Sequence, residues 1–382
     1  MSEQFVVVGA GIAGLATAAA LQRRGCSVTV LEARTDTSSG AGISIWPNAL
    51  AALDEIGLGD AVRAAGGRVT GGALRWYDGS WLRRPATERL TTALGEPLVV
   101  VRRGTLADIL AGALTPGTIR FGTTVTALLL TAEGVRLSLS DNSDIHAAAV
   151  VGADGTHSVV AQHLNGTLPH RYAGYTAWRG VARYRLDAEL AGETLAPGAV
   201  VGHVPLGDDL TYWFASERAP EGRFAPEGEL PYLATRFGGW ADPVSAIIGA
   251  TAPGEVLRND LYDRASARQW TRGPVVLVGD AAHPMRPHLG QGGCQGLEDA
   301  ATLAFLVAQA PDIAGAFSHF AATRRPRTTS LVRESALIGK LLNLRPAALS
   351  ALAGRASGLI PEAVLTRHLA TVAAGSAFRL PY

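Results

Sequence analysis

The chain has 382 residues, 47% hydrophobic and 18% charged, with a formal net charge of +1. That length is ample for a large core and predicts two or three packed units. No basic tract stands out, which excludes the electrostatic footprint of nucleic-acid binding. Cys26 and Cys294 are the only cysteines. The N-terminus shows no secretory pattern, so they read as reduced thiols of a cytoplasmic protein. The apolar stretch Ala347–Leu365 is broken by Arg355, Pro361 and Glu362, so no membrane partner is expected.

In chain order, Phe5–Val8 is a short apolar run ending at Gly9, the pattern of a fully buried parallel strand. Ile12–Arg24 follows as a helix, and Val28–Leu31 closes a β-α-β unit at Glu32. Gly9-Ala10-Gly11-Ile12-Ala13-Gly14 fits G-x-G-x-x-G. Gly9 permits the tight turn, Gly11 lets the backbone approach a pyrophosphate, and Gly14 lets helix and sheet pack closely. The phosphates meet free N–H groups and the positive end of the helix dipole. Glu32 is suited to both ribose hydroxyls of an adenosine and repels a 2′-phosphate. The motif does not separate NAD from FAD.

Asn48–Ile56 and Asp60–Ala65 are predicted as helices, and Val69–Trp76 and Trp81–Arg84 as extended segments. Leu98–Val101 is a strand and Thr105–Leu114 a helix. Ile119–Phe121, Val125–Leu130, Val135–Leu139 and Ala147–Val151 are strands. Gly152-Ala153-Asp154-Gly155 then opens a helix, with Asp154 either capping it or contacting a dinucleotide. Tyr172–Tyr184, Val200–Val204 and Leu210–Ser216 carry an antiparallel-sheet pattern, in which Tyr212 and Phe214 share one face and Trp213 takes the other. Leu230–Phe237 and Pro243–Ala250 are helical, and Val256–Tyr262 returns as a strand.

Val275–Val278 is the last buried parallel strand, and it runs into Gly279-Asp280. A carboxylate there sits where α/β sheets bind ligands, and it suits the hydroxyls of a polyol. Pro284 and Pro287 stiffen the loop, and Gly290-Gln291-Gly292-Gly293 opens a helix from Cys294. That helix end favours a ligand edge carrying negative charge, such as N1 and O2 of a reduced flavin. Cys294–Gln309, Ile313–Leu342 in pieces, and segments to about Ala373 are helical. Arg324-Arg325-Pro326-Arg327 reads as a solvated helix face.

The three separated motifs, in this order, resemble the single-component FAD-dependent aromatic hydroxylases, the group A flavoprotein monooxygenases, over residues 5 to about 326. Gly40–Asn48 and Arg171–Gly180 are most similar to the urate hydroxylase, salicylate hydroxylase and zeaxanthin epoxidase branch. The resemblance implies an α/β architecture. A Rossmann-like FAD-binding domain (1–70, 99–168 and 270–325) carries an inserted, mostly antiparallel β-sheet substrate domain (71–98 and 169–269). A helical region (326–382) follows. It also implies FAD contacts at Gly9, Gly11, Ile12, Ala13 and Gly14, at Glu32, Ala33 and Arg34, at Gly42 and Ile43, and at Arg103, Val125 and Asp154. Asp280, Pro287, Gly290, Gln291, Gly292 and Gly293 complete the set.

The reaction so implied starts with NADH or NADPH reducing FAD. The reduced flavin takes O2 to a C4a-hydroperoxide, and one oxygen passes to a small aromatic or polycyclic substrate. The protein is expected as a monomer or homodimer. On the substrate side Arg179, His203, Tyr212 and His288 are the candidates. Arg179 either fixes an anionic substrate or pairs with a surface acid. His203 is either a base or structural, and His283 reads as structural. One departure from the family pattern is Ala161, where the middle motif usually ends in an arginine. Epoxidation, Baeyer–Villiger insertion, oxidative decarboxylation and a non-catalytic flavin-binding role stay open as alternatives. The halogenase lysine and Trp-x-Trp-x-Ile-Pro segment are not evident, since Lys340 is the only lysine. No metal-ligand spacing or G-x-S-x-G elbow is present.

Overall fold

The computed structural model describes residues 4–36, 40–84, 87–207 and 209–381. Residues 1–3, 37–39, 85–86, 208 and 382 of the expected units lie outside these. The chain opens with β1 (Gln4–Val8), α1 (Ile12–Arg23) and β2 (Ser27–Leu31). Next come β3 (Gly42–Ile45), α2 (Pro47–Ile56), α3 (Gly59–Ala65), β4 (Gly67–Val69), β5 (Ala73–Trp76), β6 (Trp81–Arg83) and α4 (Thr87–Leu94). β7 (Leu98–Arg102) leads into α5 (Arg103–Gly112), β8 (Ile119–Arg120), β9 (Val125–Thr131), β10 (Gly134–Leu139), β11 (Asp144–Ala147), β12 (Ala149–Gly152) and α6 (Val159–Asn165).

The middle of the chain holds β13 (His170–Arg183), β14 (Gly192–Ala196), β15 (Ala199–Gly207), β16 (Leu210–Arg218), α7 (Glu229–Phe237), α8 (Val244–Gly249) and β17 (Leu257–Arg264). β18 (Thr271–Arg272) and β19 (Val275–Leu277) precede α9 (Gly292–Gln309), α10 (Ile313–Leu342), α11 (Ala347–Ser357) and α12 (Glu362–Ala373).

Four sheets result. The first has the order β18-β19-β12-β1-β2-β8 and is parallel except at β18. Its strands are continuous apolar runs because both faces are covered, one by α1 and α9 and the other by the small sheet β9–β11. α1 and α9 pack closely on one side, where Gly279 and Gly296 leave room for Ala13 of α1. A small antiparallel sheet, β11-β10-β9, stands beside it, and β3-β7-β4 forms a third. The fourth has seven strands in the order β17-β13-β16-β15-β14-β5-β6. One of its faces is sealed by α7 and α8 through Trp178, Trp213, Leu233, Phe237 and Ile247. No helix of the described residues is long and apolar enough to cross a membrane.

Three local expectations are corrected. Ala147–Val151 is not one strand, because the chain passes between β11 in one sheet and β12 in another. Ile313–Leu342 is one continuous helix with Pro326 inside it. The run at 324–327 is not a solvated face: Arg324 is buried, and its Nε donates to Asp299 at 2.7 Å while its Nη1 pairs with Glu298. Arg327 Nη2 also donates to Glu298, at 2.7 Å. These bonds flank Pro326 and hold the helix across the position where proline removes a backbone donor.

Glu298 and Asp299 are themselves fully buried. Burial alone raises an aspartic acid, but His283 and Arg324 outweigh it and bring Asp299 down to about 2. Its stabilising charge is therefore fully present above the ordinary value of 3.8 and is lost as pH falls through about 2. Replacing Arg324 by Met is expected to lower stability by about 3–5 kcal/mol at neutral pH, because two buried carboxylates lose their main partner. Urea or guanidinium unfolding measures this. A loss no larger than that of an exposed arginine contradicts the assignment.

Candidate functional site

A crevice opens at the C-terminal ends of β1, β12 and β19. Gly9 has φ +102, and a Cβ there would lie 2.6 Å from the Ala153 carbonyl oxygen. A Cβ on Gly14 would lie 1.9 Å from the Gly9 carbonyl oxygen, so only glycine lets α1 start this close to the sheet. Gly11 differs, because nothing lies within 4 Å of its Cβ direction. The backbone is open there, and no side chain caps α1. Its first N–H groups are free for an anion. Ile12 and Ala13 form that first turn, with Ala13 against Gly279 and Gly296.

Glu32 is buried beside this loop. It accepts N–H bonds from Ala10 at 2.7 Å and Arg34 at 2.9 Å, and keeps lone pairs for a further donor. Ala33 and Arg34 are exposed next to it. The Glu32 carbonyl accepts from Thr123, two residues before buried Val125 at the start of β9.

Opposite, the Gly279 N–H donates to Asp299 at 2.9 Å, which fixes the start of the second loop. Asp280 has solvent-accessible surface, yet protein surrounds it closely, so its carboxyl looks into the crevice. Burial raises its proton affinity, and His283, Arg103 and Arg264 oppose that rise. Arg103 has the same character and packs its stem on Gly40. Arg264 is buried and donates to the carbonyls of Asp280 at 2.6 Å and Ala281 at 2.8 Å.

Pro287 opens a short turn to Leu289, and Gly290 (φ +61) follows against Trp46. Gln291 turns inward to Asn48 and Gln295. It leaves α9 without a side-chain cap, and Gly292 and Gly293 at its open end. A Cβ on Gly293 would come within 2.7 Å of Ile43. Gly42 and Ile43 on β3 thus face the loop across a slot. A Cβ on Gly42 would strike the Tyr212 ring at 2.5 Å, so the slot opens directly onto the seven-stranded sheet.

On that sheet Arg179 lies opposite Phe214, and Tyr212 shares their face. Burial raises the Tyr212 hydroxyl, while Arg179 and Arg103 oppose the rise. Arg179 also donates to Asn259 at 3.2 Å. The structure brings Arg179, Tyr212, Arg103, Asp280 and Gly42 together, but not His203. His203 stands opposite Trp213 on the other face, fully buried, with Nε2 3.2 Å from the Thr194 hydroxyl. Burial pushes it down to about 4. The reason is strand parity: 203 pairs with 213, not with 212 or 214.

His288 borders the slot, but its Nε2 lies 2.9 Å from the Tyr175 hydroxyl and α10 packs on it at Gly339. Asp154 accepts from Ser158 Oγ and from the Val159 N–H at 2.8 Å, so it caps the turn into α6. Ala161 is buried in the main core, so this position packs apolar surface and adds nothing to the crevice wall. Sequence reasoning missed Arg264 and Trp46. Arg264 lies in no motif, and Trp46, though inside the Gly40–Asn48 stretch, is marked only by its contact with Gly290.

The chain matches the family described as FAD binding domain over residues 3–188 and 251–335. It is 35% identical over 339 residues to the aurachin C monooxygenase/isomerase of Stigmatella aurantiaca, covering 88% of each chain. It is 34% identical to the 3-amino-4-hydroxybenzoate 2-monooxygenase of Streptomyces cremeus, covering 89% of this chain and 88% of that one. Klebsiella pneumoniae HpxO, solved with FAD and uric acid, superposes with a TM-score of 0.90 at 27% identity, covering 97% and 96%. FAD fits the residues present: an open approach at Gly11, uncapped ends on α1 and α9, and acids at Glu32 and Asp280. This chain belongs to the FAD binding domain family and is an FAD-dependent monooxygenase of the group A type.

Proposed function

We propose that this enzyme hydroxylates a small aromatic compound held on the inner face of the seven-stranded sheet, using NADH or NADPH and O2. One observation carries the reading: the Tyr212 ring packs on Gly42 at the mouth of the slot, with Arg179 and Arg103 beside it. A planar ring lying there is edge-on to the slot between β3 and the Gly290–Gly293 loop. The relatives named for urate and for 3-amino-4-hydroxybenzoate point to the same class, planar rings with acidic N–H or O–H groups.

The roles divide by position. The α1 N-terminus and Gly11 hold the pyrophosphate, and Glu32 the adenosine ribose. Asp280 would accept the ribityl hydroxyls, and the uncapped N–H groups at the α9 start would favour a negatively charged edge of the ring system. Bound FAD supplies hydride acceptance and oxygen activation. Arg179 holds an anionic substituent of the substrate, and Tyr212 donates a hydrogen bond to it while excluding water. Residues 71–98 and 169–269 form the substrate unit in this reading, with the rest of residues 1–325 holding FAD.

Three outcomes are expected. First, purified yellow protein oxidises NADH or NADPH faster with an aromatic acid or urate, and product mass shows one oxygen from labelled O2. If no such compound accelerates oxidation or is oxygenated, the hydroxylase reading is wrong. Second, Asp280→Ala weakens FAD binding about tenfold or more, from the loss of a charged hydrogen-bond acceptor, as read by flavin released on dilution. Third, Arg179→Met raises KM by about ten- to a hundredfold while FAD content stays unchanged. An unaltered KM moves Arg179 to a surface role.

A further inference from the structure

Register places five residues in one row across the sheet. Arg179 pairs with Phe214, Phe214 with Gly202, Gly202 with Glu193, and Glu193 with Leu74. Directly paired residues share a face, so this row lies on the Tyr212 side. The Phe214 ring confirms it, because a Cβ on Gly202 would meet that ring at 2.1 Å. Arg179, Phe214, Glu193 and Leu74 are all half-buried, while Tyr212 and Val181 on one flank and Val200, Leu195 and Trp76 on the other are buried. The buried flanks are covered by β3 at Gly42 and by α11 at Gly354. The half-buried row lies as a trough between these two covers, floored at its middle by the Phe214 ring over Gly202. Arg179 lies at one end and Glu193 roughly 14 Å away, three strand spacings on.

We propose that Glu193 is the substrate-side base, taking the proton of a ring N–H or O–H group of an aromatic substrate lying along this trough. The inference rests on the hydroxylase reading above and names its substrate more closely: an anionic substituent at Arg179 and an acidic N–H or O–H at the far end. The N–H or O–H bond breaks, the proton moves to a Glu193 oxygen, and the electron pair stays on the ring. No electrons leave the substrate in this step. The ring becomes more electron-rich, which favours attack on an electrophilic oxygen.

Among the described residues, nothing hydrogen-bonds to or ion-pairs with the Glu193 carboxyl. It keeps accessible surface while protein encloses it, and that burial raises it to about 7, near the pH where a base works best. Of the other charged groups on this face, Arg103 stands at the Tyr212 end and Arg355 stacks over the Trp76 ring at 5.0 Å, and neither shifts Glu193. Arg83, beside Leu74, donates to the carbonyls of Ser357 and Ile360. Arg218 donates to Leu344, Arg286 pairs with Asp263, and His288 meets Tyr175.

The test compares FAD-loaded wild type, Glu193→Gln and Glu193→Asp with urate and 3-amino-4-hydroxybenzoate as probes. Binding is read from flavin absorbance, and turnover from product formed on either side of pH 7. In the wild type, turnover of at least one probe rises about tenfold as pH passes through about 7. Glu193→Gln lowers it at least tenfold and flattens the profile, whereas Glu193→Asp keeps the pH dependence. FAD content shows that each variant is folded. Wild-type turnover and an unchanged profile in Glu193→Gln overturn the inference. So does a wild type that reduces its flavin with NAD(P)H but binds neither probe. A wild type whose flavin NAD(P)H cannot reduce overturns the hydroxylase reading itself, and this inference with it.

Discussion

The rest of the structure depends on one buried ion-pair network. Arg324 of α10 reaches across to Glu298 and Asp299 of α9, and each acid holds a second element. Asp299 takes the Gly279 N–H and His283, so it positions the loop that presents Asp280. Glu298 takes Asn48 of α2 and Arg327 of α10. Asn48 also holds Gln291, the residue before the open end of α9. Four elements that wall the crevice are thus tied to two adjacent carboxylates. Buried ion pairs add little net stability, because desolvation offsets their attraction. What this one supplies is placement: any shift of α9 along α10 leaves a charge unpaired in a low-dielectric core.

Glycine performs the complementary task, removing side chains where backbones must approach. At Gly14 a methyl group would sit 1.9 Å from a carbonyl oxygen, and at Gly42 it would enter the Tyr212 ring. The first glycine sets the distance between helix and sheet, and hence where a pyrophosphate meets free N–H groups. The second sets the distance between the crevice and the seven-stranded sheet. One helix–sheet contact and one sheet–sheet contact therefore rest on the same chemical device.

The cofactor side was legible in the sequence because its signals are local. A strand, a glycine turn and a helix follow one another around Gly9–Gly14, and again, with a longer loop, around Gly279–Gly293. The substrate side was not. β14 has the sequence Gly-Glu-Thr-Leu-Ala, a weak strand former, and it joins the sheet only through pairing with β15 and β5. Without β14, Glu193 has no face. His203 was misplaced for a related reason, since which residues pair across β15 and β16 depends on a turn that local pattern does not define. Arg324 was hidden by distance, its partners lying 25 and 26 residues upstream. The clue was there: two adjacent acids inside a helix whose neighbours are Leu297 and Ala300 cannot both face water unless the helix is exposed on that side.

Two carboxyls, Asp280 and Glu193, are closely surrounded by protein, and their surroundings differ. Burial raises both Asp280 and Glu193. Around Asp280, however, stand His283, Arg103 and Arg264, which favour the anion. Those cations work against the rise at Asp280, which favours an acceptor for the hydroxyls of a polyol. Glu193 has no cation against it, so nothing but burial acts on its proton. Its charge then follows whatever enters the trough, which is what a proton acceptor requires and a fixed acceptor must avoid. In the proposed reading, the carboxyl opposed by cations accepts hydrogen bonds and the one without them exchanges a proton.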